Sequence, residues 1–172
     1  MTIQLISQRL KLRQVSLTDW DFFYYLQTNL TVIKHCFNPR SQEQIRERFE
    51  SRLLPWTTES NFWLCLVLEE IETNNLVGIT GFYLQDSIAE LGYMIAPEHS
   101  RKGYATESLK CVIQFATNCD IQTLQANVTQ GNHASEKVLL KCGFHRDEVV
   151  EQDVELGGIM YDDLIYRKFI GR

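Results

Sequence analysis

The sequence predicts an α/β protein, with one mixed β-sheet of about six to seven strands flanked by about four helices. The sheet and helices form a single domain over residues 1–172. Three observations lead there. Hydrophobic periodicity alternates between two and 3.6 along the chain. Strand-like segments near the middle and at the end are joined by short turn signals, as in antiparallel hairpins. Between them a helix separates "IAELGYMI" from "TLQANVT", and a strand–helix–strand unit implies parallel pairing through a right-handed crossover. No repeat, low-complexity tract or Pro/Gly-rich linker interrupts the 172 residues. A chain of that length buries roughly 70% of the surface its unfolded form exposes, so it needs no metal or disulfide to hold it.

The elements follow in order. "RLKLRQV" alternates at period two and reads as a strand. Ser16 and Asp19 form a loose capping signature before a helix in "DWDFFYYLQT". Ser41 and Gln44 form a second capping box, opening "QEQIRERFESRLL", which Pro55 is expected to end. "FWLCLVLEE" and "LVGITGFYL" flank the turn "IETNN", and "IAELGYMI" is a third strand in that region. In the next helix Leu109, Val112, Ile113 and Ala116 recur at i, i+3, i+4, i+7 and make one buried face. "TLQANVT" is a strand. "NHASEKVLLKCG" is a helix with Asn132 as N-cap and Gly143 just past its end. In "VVEQDVEL" Val150, Val154 and Leu156 share one face, and Glu151, Asp153 and Glu155 the other. Gly157-Gly158 then turns the chain into "IMYDDLIYRKFI" as a closing hairpin.

Composition narrows the function. A net charge of −5 argues against nucleic acid as the main partner, because phosphate neutralisation needs a basic surface. The five cysteines, Cys36, Cys65, Cys111, Cys119 and Cys142, are odd in number and contain no C-x-x-C pair. They read as buried free thiols in a reducing compartment, neither a zinc site nor a disulfide framework. The N-terminal "MTIQLISQRLKLRQV" lacks a signal peptide's continuous apolar core. The longest apolar run, Phe62 to Leu68, is too short to span a membrane. A cytoplasmic protein with no membrane partner is expected. His35, His99, His133 and His145 form no cluster, so no metal is expected.

Chemistry concentrates around "HSRKGYATES", His99 to Ser108. A helix that opens after a strand exposes unpaired N–H groups and a partial positive charge, which together make an anion site. Gly103 permits an unusual φ or a close ligand, and Arg101 and Lys102 add positive charge. The stretch is either a solvated basic turn or a pyrophosphate cradle. Neither G-x-G-x-x-G nor a Walker loop is present. Just before it, alternation puts Ile88, Glu90, Gly92 and Met94 on one face. A carboxylate among apolar neighbours has a raised pKa, which suits a general base; the other reading of Glu90 is a solvated edge carboxylate or a structural ion pair.

The flanks carry a resemblance. "AELGYMIAPEHSRKGYATESL" resembles the acetyl-CoA-binding motif of the GNAT superfamily of N-acetyltransferases. More narrowly it resembles the RimJ/RimL-like branch, the ribosomal-protein-alanine N-acetyltransferase-like enzymes. "NHASEKVLLKCGF", with its N-x-x-S and K-x-G-F, is a second matching block. Asp162 and Tyr166 resemble the branch's closing D-x-x-x-Y, and "RLKLRQVSLTDWD" its opening strand and helix. The resemblance implies the GNAT fold, a splayed mixed sheet with acetyl-CoA wedged where "IAELGYMI" and "TLQANVT" diverge. The family's Q/R-x-x-G-x-G/A loop falls on Ser100, Arg101, Lys102, Gly103, Tyr104 and Ala105, with serine departing at the first position. The amides from Arg101 to Thr106 would hold the phosphates, since a cradle of this kind uses mainly backbone donors.

By the same resemblance Glu90 is a catalytic or substrate-binding group, and Asn132 and Ser135 face the pantetheine arm. Ser135 would protonate the departing sulfur. The tyrosine acid of many GNAT enzymes falls on Leu139 here, so that acid is missing. A backbone N–H at Met94 or Ile95 would polarise the thioester carbonyl, with the strand bulging near Gly92. Tyr93 and Tyr104 read as packing or cofactor contacts, and His99 as a surface residue.

Acceptor contacts would come from Trp20, Phe22, Phe23, Trp56 and the Gly157-Gly158 segment, with Glu151, Asp153, Asp162 and Asp163 available to attract a cation. The implied reaction is acetyl transfer from acetyl-CoA to an amine, by direct attack in a ternary complex. The acceptor is a protein N-terminus or a small molecule, and the protein a monomer or homodimer. The alternative is a GNAT module that binds acetyl-CoA without turnover.

Overall fold

A computed structural model describes residues 3–171. In chain order its elements are β1 (Gln4–Ile6), β2 (Leu10–Gln14), α1 (Trp20–Thr28), α2 (Leu30–Ile33), α3 (Gln42–Glu50), β3 (Leu64–Glu70), β4 (Leu76–Gln85), β5 (Ile88–Ile95), α4 (Tyr104–Asn118), β6 (Thr123–Thr129), α5 (His133–Lys141), β7 (His145–Leu156) and β8 (Ile159–Phe169). The strands form one sheet in the order β1-β2-β3-β4-β5-β6-β8-β7. All pairs are antiparallel except β5–β6. That parallel pair holds for only three residues, Ile88↔Thr123, Ala89↔Leu124 and Glu90↔Gln125, after which the strands part.

Both faces of the sheet are covered. β3 shows why its run "LCLVL" is continuously apolar. Leu64, Leu66 and Leu68 belong to a core with Leu109, Val112 and Ala116 of α4 and Leu139 of α5. Cys65 and Val67 point the other way, into a core with Phe23 and Leu26 of α1 and Ile45 and Phe49 of α3. Burying a side chain of this size contributes about 1.5–3 kcal/mol, so each helix is held by the row it covers. Ile113, expected on the buried face of α4, is only half-buried beside that row.

Local signals hold where they are strong. Both capping boxes form, at Ser16 with Asp19 and at Ser41 with Gln44. Asn132 caps α5 by accepting from the Ser135 N–H. Gly157 and Gly158 have φ of 59° and 80°, the left-handed pair that a two-residue hairpin needs, and they join Leu156 to its partner Ile159.

Several expectations are corrected. Among the described residues the sheet has eight strands and five α-helices stand against it. The additions are β1, three residues long, and α2, a single turn started by Asn29, whose side chain accepts from Thr31 N and Val32 N. α3 stops at Glu50, with Ser51 as C-cap, before Pro55 can act. Cys36 is exposed; Cys65 and Cys142 are buried as expected, and Cys111 and Cys119 half-buried. Among the described residues no helix is long and apolar enough to cross a membrane.

Candidate active site

The parting of β5 from β6 frees two rows of backbone groups. The Ala96 N–H donates to Val77 O at 2.9 Å, and β5 runs in unbroken register with β4 from Ile88 to Ile95. Antiparallel ladders alternate, so Glu90, Gly92 and Met94 turn their backbone groups to β4. Those of Tyr93 and Ile95 face the split. This corrects two expectations: there is no bulge near Gly92, and the Met94 N–H is committed to the ladder. On the far side, Gln130 N donates to Asp162 O at 2.9 Å, so the same parity turns the backbone groups of Asn127 and Thr129 into the split.

A cleft of about 970 Å³ runs through it. Every predicted site residue except Lys102 lines this cleft: Glu90, Met94, Ile95, Arg101, Gly103, Tyr104, Ala105, Thr106, Asn132 and Ser135. Helices α4 and α5 both begin at its rim, each directly after a strand that borders the split.

The loop before α4 is braced from outside. Gly103 is the N-cap, with φ of 83°. A Cβ there would lie 3.4 Å from Nη2 of Arg9. Arg9 Nη1 donates to Lys102 O at 2.9 Å, turning that residue's carbonyl away from the cleft. Arg9 is itself held by Glu107, which accepts from the Arg9 N–H (2.8 Å), Arg9 Nε (2.8 Å) and Ser7 Oγ (2.7 Å). Burial works to raise the Glu107 pKa, yet these donors together hold it below the ordinary value. The Tyr104 side chain is structural: it is buried, stacks under Arg9 and donates to Glu70 at the end of β3. Only its backbone can serve a ligand in the cleft. Ser100 donates to Pro97 O at 2.7 Å, so the residue that departs from the motif spends its hydroxyl closing its own turn.

On the α4/α5 side of the split, Ser135 Oγ lies 2.6 Å from Tyr93 OH. Burial pushes the Tyr93 hydroxyl well above the usual tyrosine range, and Ser135 only partly offsets this. Tyr93 therefore stays protonated, with its hydroxyl held against that of Ser135. Leu139 is fully buried in the core. Of the closing motif, Tyr166 is buried and donates to Glu136 Oε2 at 2.7 Å, while Asp162 Oδ1 accepts from Gln152 N at 3.0 Å. Both are structural.

On the opposite face, shared with α1–α3, lie the carboxylates. Glu90 opens onto the cleft, but its surroundings remove enough water to raise its pKa, and Asp163 raises it further. Asp163 is buried and accepts from Asn127 Nδ2 at 2.8 Å. Burial raises its pKa, Asn127 lowers it and Asp153 raises it again, with a net rise. Glu90 and Asp163 thus favour their protons more than ordinary carboxyls do, and each makes the other's ionisation harder.

Two features of this face were not found from the sequence. Asn38, in the loop after α2, donates from Nδ2 to Glu155 O (3.0 Å) and accepts from Gly157 N (2.8 Å). It bridges that loop to the tip of the β7–β8 hairpin. Arg40, Arg48 and Arg52 also line the cleft.

Residues 9–145 match the family model described as the acetyltransferase (GNAT) domain. Over 103 residues the chain is 34% identical to YoaA, an uncharacterized N-acetyltransferase of Bacillus subtilis (strain 168), and the match spans 58% of each chain. Among solved structures, RimL, a ribosomal L7/L12 α-N-protein acetyltransferase in complex with coenzyme A, superposes with a TM-score of 0.85 at 18% identity. That match covers 97% of this chain and 98% of that one. Spermidine N-acetyltransferase from Vibrio cholerae, in complex with CoA and spermine, superposes with a TM-score of 0.83 at 20% identity, over 95% and 96% of the two chains.

Proposed function

The chain belongs to the acetyltransferase (GNAT) family, and on that premise we propose that it moves the acetyl group of acetyl-CoA onto a small primary amine, by direct attack in a ternary complex. One observation carries the reading: the split between β5 and β6 has two carboxylates on one face and a hydroxyl pair on the other. Acetyl transfer to an amine needs a base on the acceptor side and an acid at the departing thiol.

When bound, acetyl-CoA supplies the acyl group and a thiol leaving group. The amides from Arg101 to Thr106 would hold its phosphates, aided by the positive end of α4. The N–H groups of Tyr93 and Ile95 are the donors open to its amide chain and acyl oxygen. Glu90, with Asp163 behind it, takes a proton from the acceptor's ammonium, directly or through water. Ser135 would give a proton to the departing thiolate and recover one from solvent in the cleft by way of the Tyr93 hydroxyl.

The Asn38 bridge supports a small acceptor over a polypeptide. It ties the loop after α2 to the hairpin tip beside the cleft, whose wall there includes Phe37, Arg40 and Val154, and so narrows the passage an extended peptide would need. The RimL neighbour acts on a ribosomal protein and the Vibrio neighbour on spermidine; their shared fold leaves the acceptor to the local side chains. Five free cysteines suit the reducing cytoplasm as its compartment.

The experiment is thiol release from acetyl-CoA across a panel of amines, with Glu90→Gln alongside. Turnover with at least one small amine, and loss of most of it in Glu90→Gln, is expected. Tight CoA binding with no turnover of any amine overturns the proposal and leaves a sensing module.

A further inference from the structure

The acceptor side of the cleft carries both signs of charge, on different elements. Glu90 and Asp163 come from the sheet, while Arg40, Arg48 and Arg52 come from α3 and its flanks. We propose that the acceptor is a small amine that also carries an anionic oxygen group, a carboxylate or a phosphate, and that Arg40, Arg48 and Arg52 hold that group. This rests on the reading of the cleft as an acetyl-transfer site and names the chemical class of its substrate.

The three arginines differ from the others near them in having no acid. Arg9 pairs with Glu107, Arg13 with Asp19 and Glu69, and Arg46 with Glu50. Among the described residues no carboxylate oxygen lies within 4.0 Å of Arg40, Arg48 or Arg52. The sole hydrogen bond from the Arg40 side chain among those residues is to Gln27 Oε1, at a long 3.3 Å.

Aromatic faces hold two of them instead. Arg40 lies 3.5 Å from the ring centre of Phe37, and Arg52 is 5.5 Å from Phe23 and 5.6 Å from Trp63. Stacking fixes a guanidinium plane and leaves its N–H fork free for a planar or tetrahedral anion. The cations also repel one another. Burial, then Arg48 and Arg52, push Arg40 down to about 10, and burial and Arg52 lower Arg48. Three cations gathered without acids and repelling one another are unfavourable on their own. An anion between them relieves that cost, and a polyamine or plain alkylamine does not.

The test uses the full chain and matched probes. Phenylalanine is compared with phenylalaninamide, phosphoethanolamine with ethanolamine, and spermidine is added as a polycation. The first pair isolates a carboxylate and the second a phosphate. In at least one pair the anionic member should show kcat/KM about tenfold or more above its neutral partner, the scale of a charge-assisted contact. Arg48→Gln should abolish most of that preference through KM, and Arg48→Lys should restore part of it. Equal kcat/KM within both pairs, a preference for spermidine, or an unchanged preference in Arg48→Gln overturns the inference and leaves acetyl transfer standing.

Calorimetric titration of the CoA-loaded protein with inorganic phosphate needs neither turnover nor a fitted acceptor. Binding about tenfold weaker in Arg48→Gln upholds the anion site even where no amine is acetylated, in which case only the transfer reading falls. No phosphate binding, or binding indifferent to Arg48, together with no preference between the paired amines, overturns the site itself.

Discussion

Removing the Tyr93 hydroxyl tests the division of labour between the two sides of the split. Tyr93→Phe deletes one oxygen, 2.6 Å from Ser135 Oγ, and keeps the ring. A neutral hydrogen bond of this kind contributes about 1 kcal/mol, which for a domain of this size lowers Tm by about 2–4 °C. The kinetic cost has a different origin. A free thiol titrates near 8.5, so at pH 7 the departing thiolate is about 1.5 pK units above its protonated form. Each unit corresponds to about 1.4 kcal/mol, so acid assistance is limited to roughly thirtyfold at that pH. A loss of about tenfold in kcat is expected, shrinking toward zero by about pH 9, where the thiolate leaves unaided.

Ser135→Ala should cost the same, and the double variant no more than either alone, because the two hydroxyls act on one proton. Thiol release at saturating acetyl-CoA and acceptor, followed from pH 6.5 to 9 (a range set by the thiol pKa of about 8.5), measures all three variants. Losses that multiply in the double variant, or a defect that does not change with pH, would refute the hydroxyl pair as a proton path.

Further outcomes follow from the same contacts. Glu107→Ala removes the anchor of Arg9 and, through it, of the Lys102 carbonyl. Tm should fall by roughly 4–8 °C for about 2 kcal/mol, with a rise in KM for acetyl-CoA and little change in kcat. The pH profile of kcat/KM should rise on an acid limb centred above the ordinary glutamate range, since burial and Asp163 hold the proton on Glu90; Glu90→Gln should flatten that limb. Asp19 bonds Arg13 through both oxygens at 2.8 Å. Burial opposes its ionisation, but Arg13 and Ser16 lower its pKa overall. Its contribution to stability is therefore complete above the unfolded aspartate value and lost as pH falls through the lower folded one. Acid unfolding of Asp19→Asn should lack that component. Asn38→Ala should leave Tm within about 2 °C, because its two bonds are solvent-exposed, and should admit bulkier amines. An unchanged acceptor range would remove the bridge as a size filter.

What could be read from the sequence depended on how local its cause is. Strands β5 and β6 have the predicted bounds because each begins with an alternating stretch and is followed by a helix-start signal. The caps at Ser41 and Asn132 need only residues three positions away. Long-range placements were out of reach. Tyr93 and Ser135 are 42 positions apart, and their meeting depends on how α5 leans against the split. The same holds for Asn38 and the hairpin tip, 119 positions away at Gly157. Tyr104 shows a motif residue whose type is explained by packing: only its amide borders the loop, while its ring is drawn under Arg9. The bulge expected near Gly92 was not needed, because parity alone frees the Ile95 N–H once β6 departs.

That departure also explains why unfavourable features gather in one place. A sheet that pairs for three residues and then opens leaves ladder groups without partners, and elsewhere in a folded core such groups are satisfied. Around the same opening stand a buried carboxylate and a second one, both with raised pKa. Among the described residues three arginines lack acids there, and His99 Nδ1 is buried with no partner. None of these stabilises the free protein. Local rules break at functional sites because the missing partner is a ligand. The unmet groups here divide by kind: amides and helix ends along the split, carboxylates beside them, guanidiniums beyond. A phosphate-bearing thioester answers the first set. On the reading proposed above, an ammonium answers the second, and an acceptor that joins an ammonium to an anion answers the second and third together.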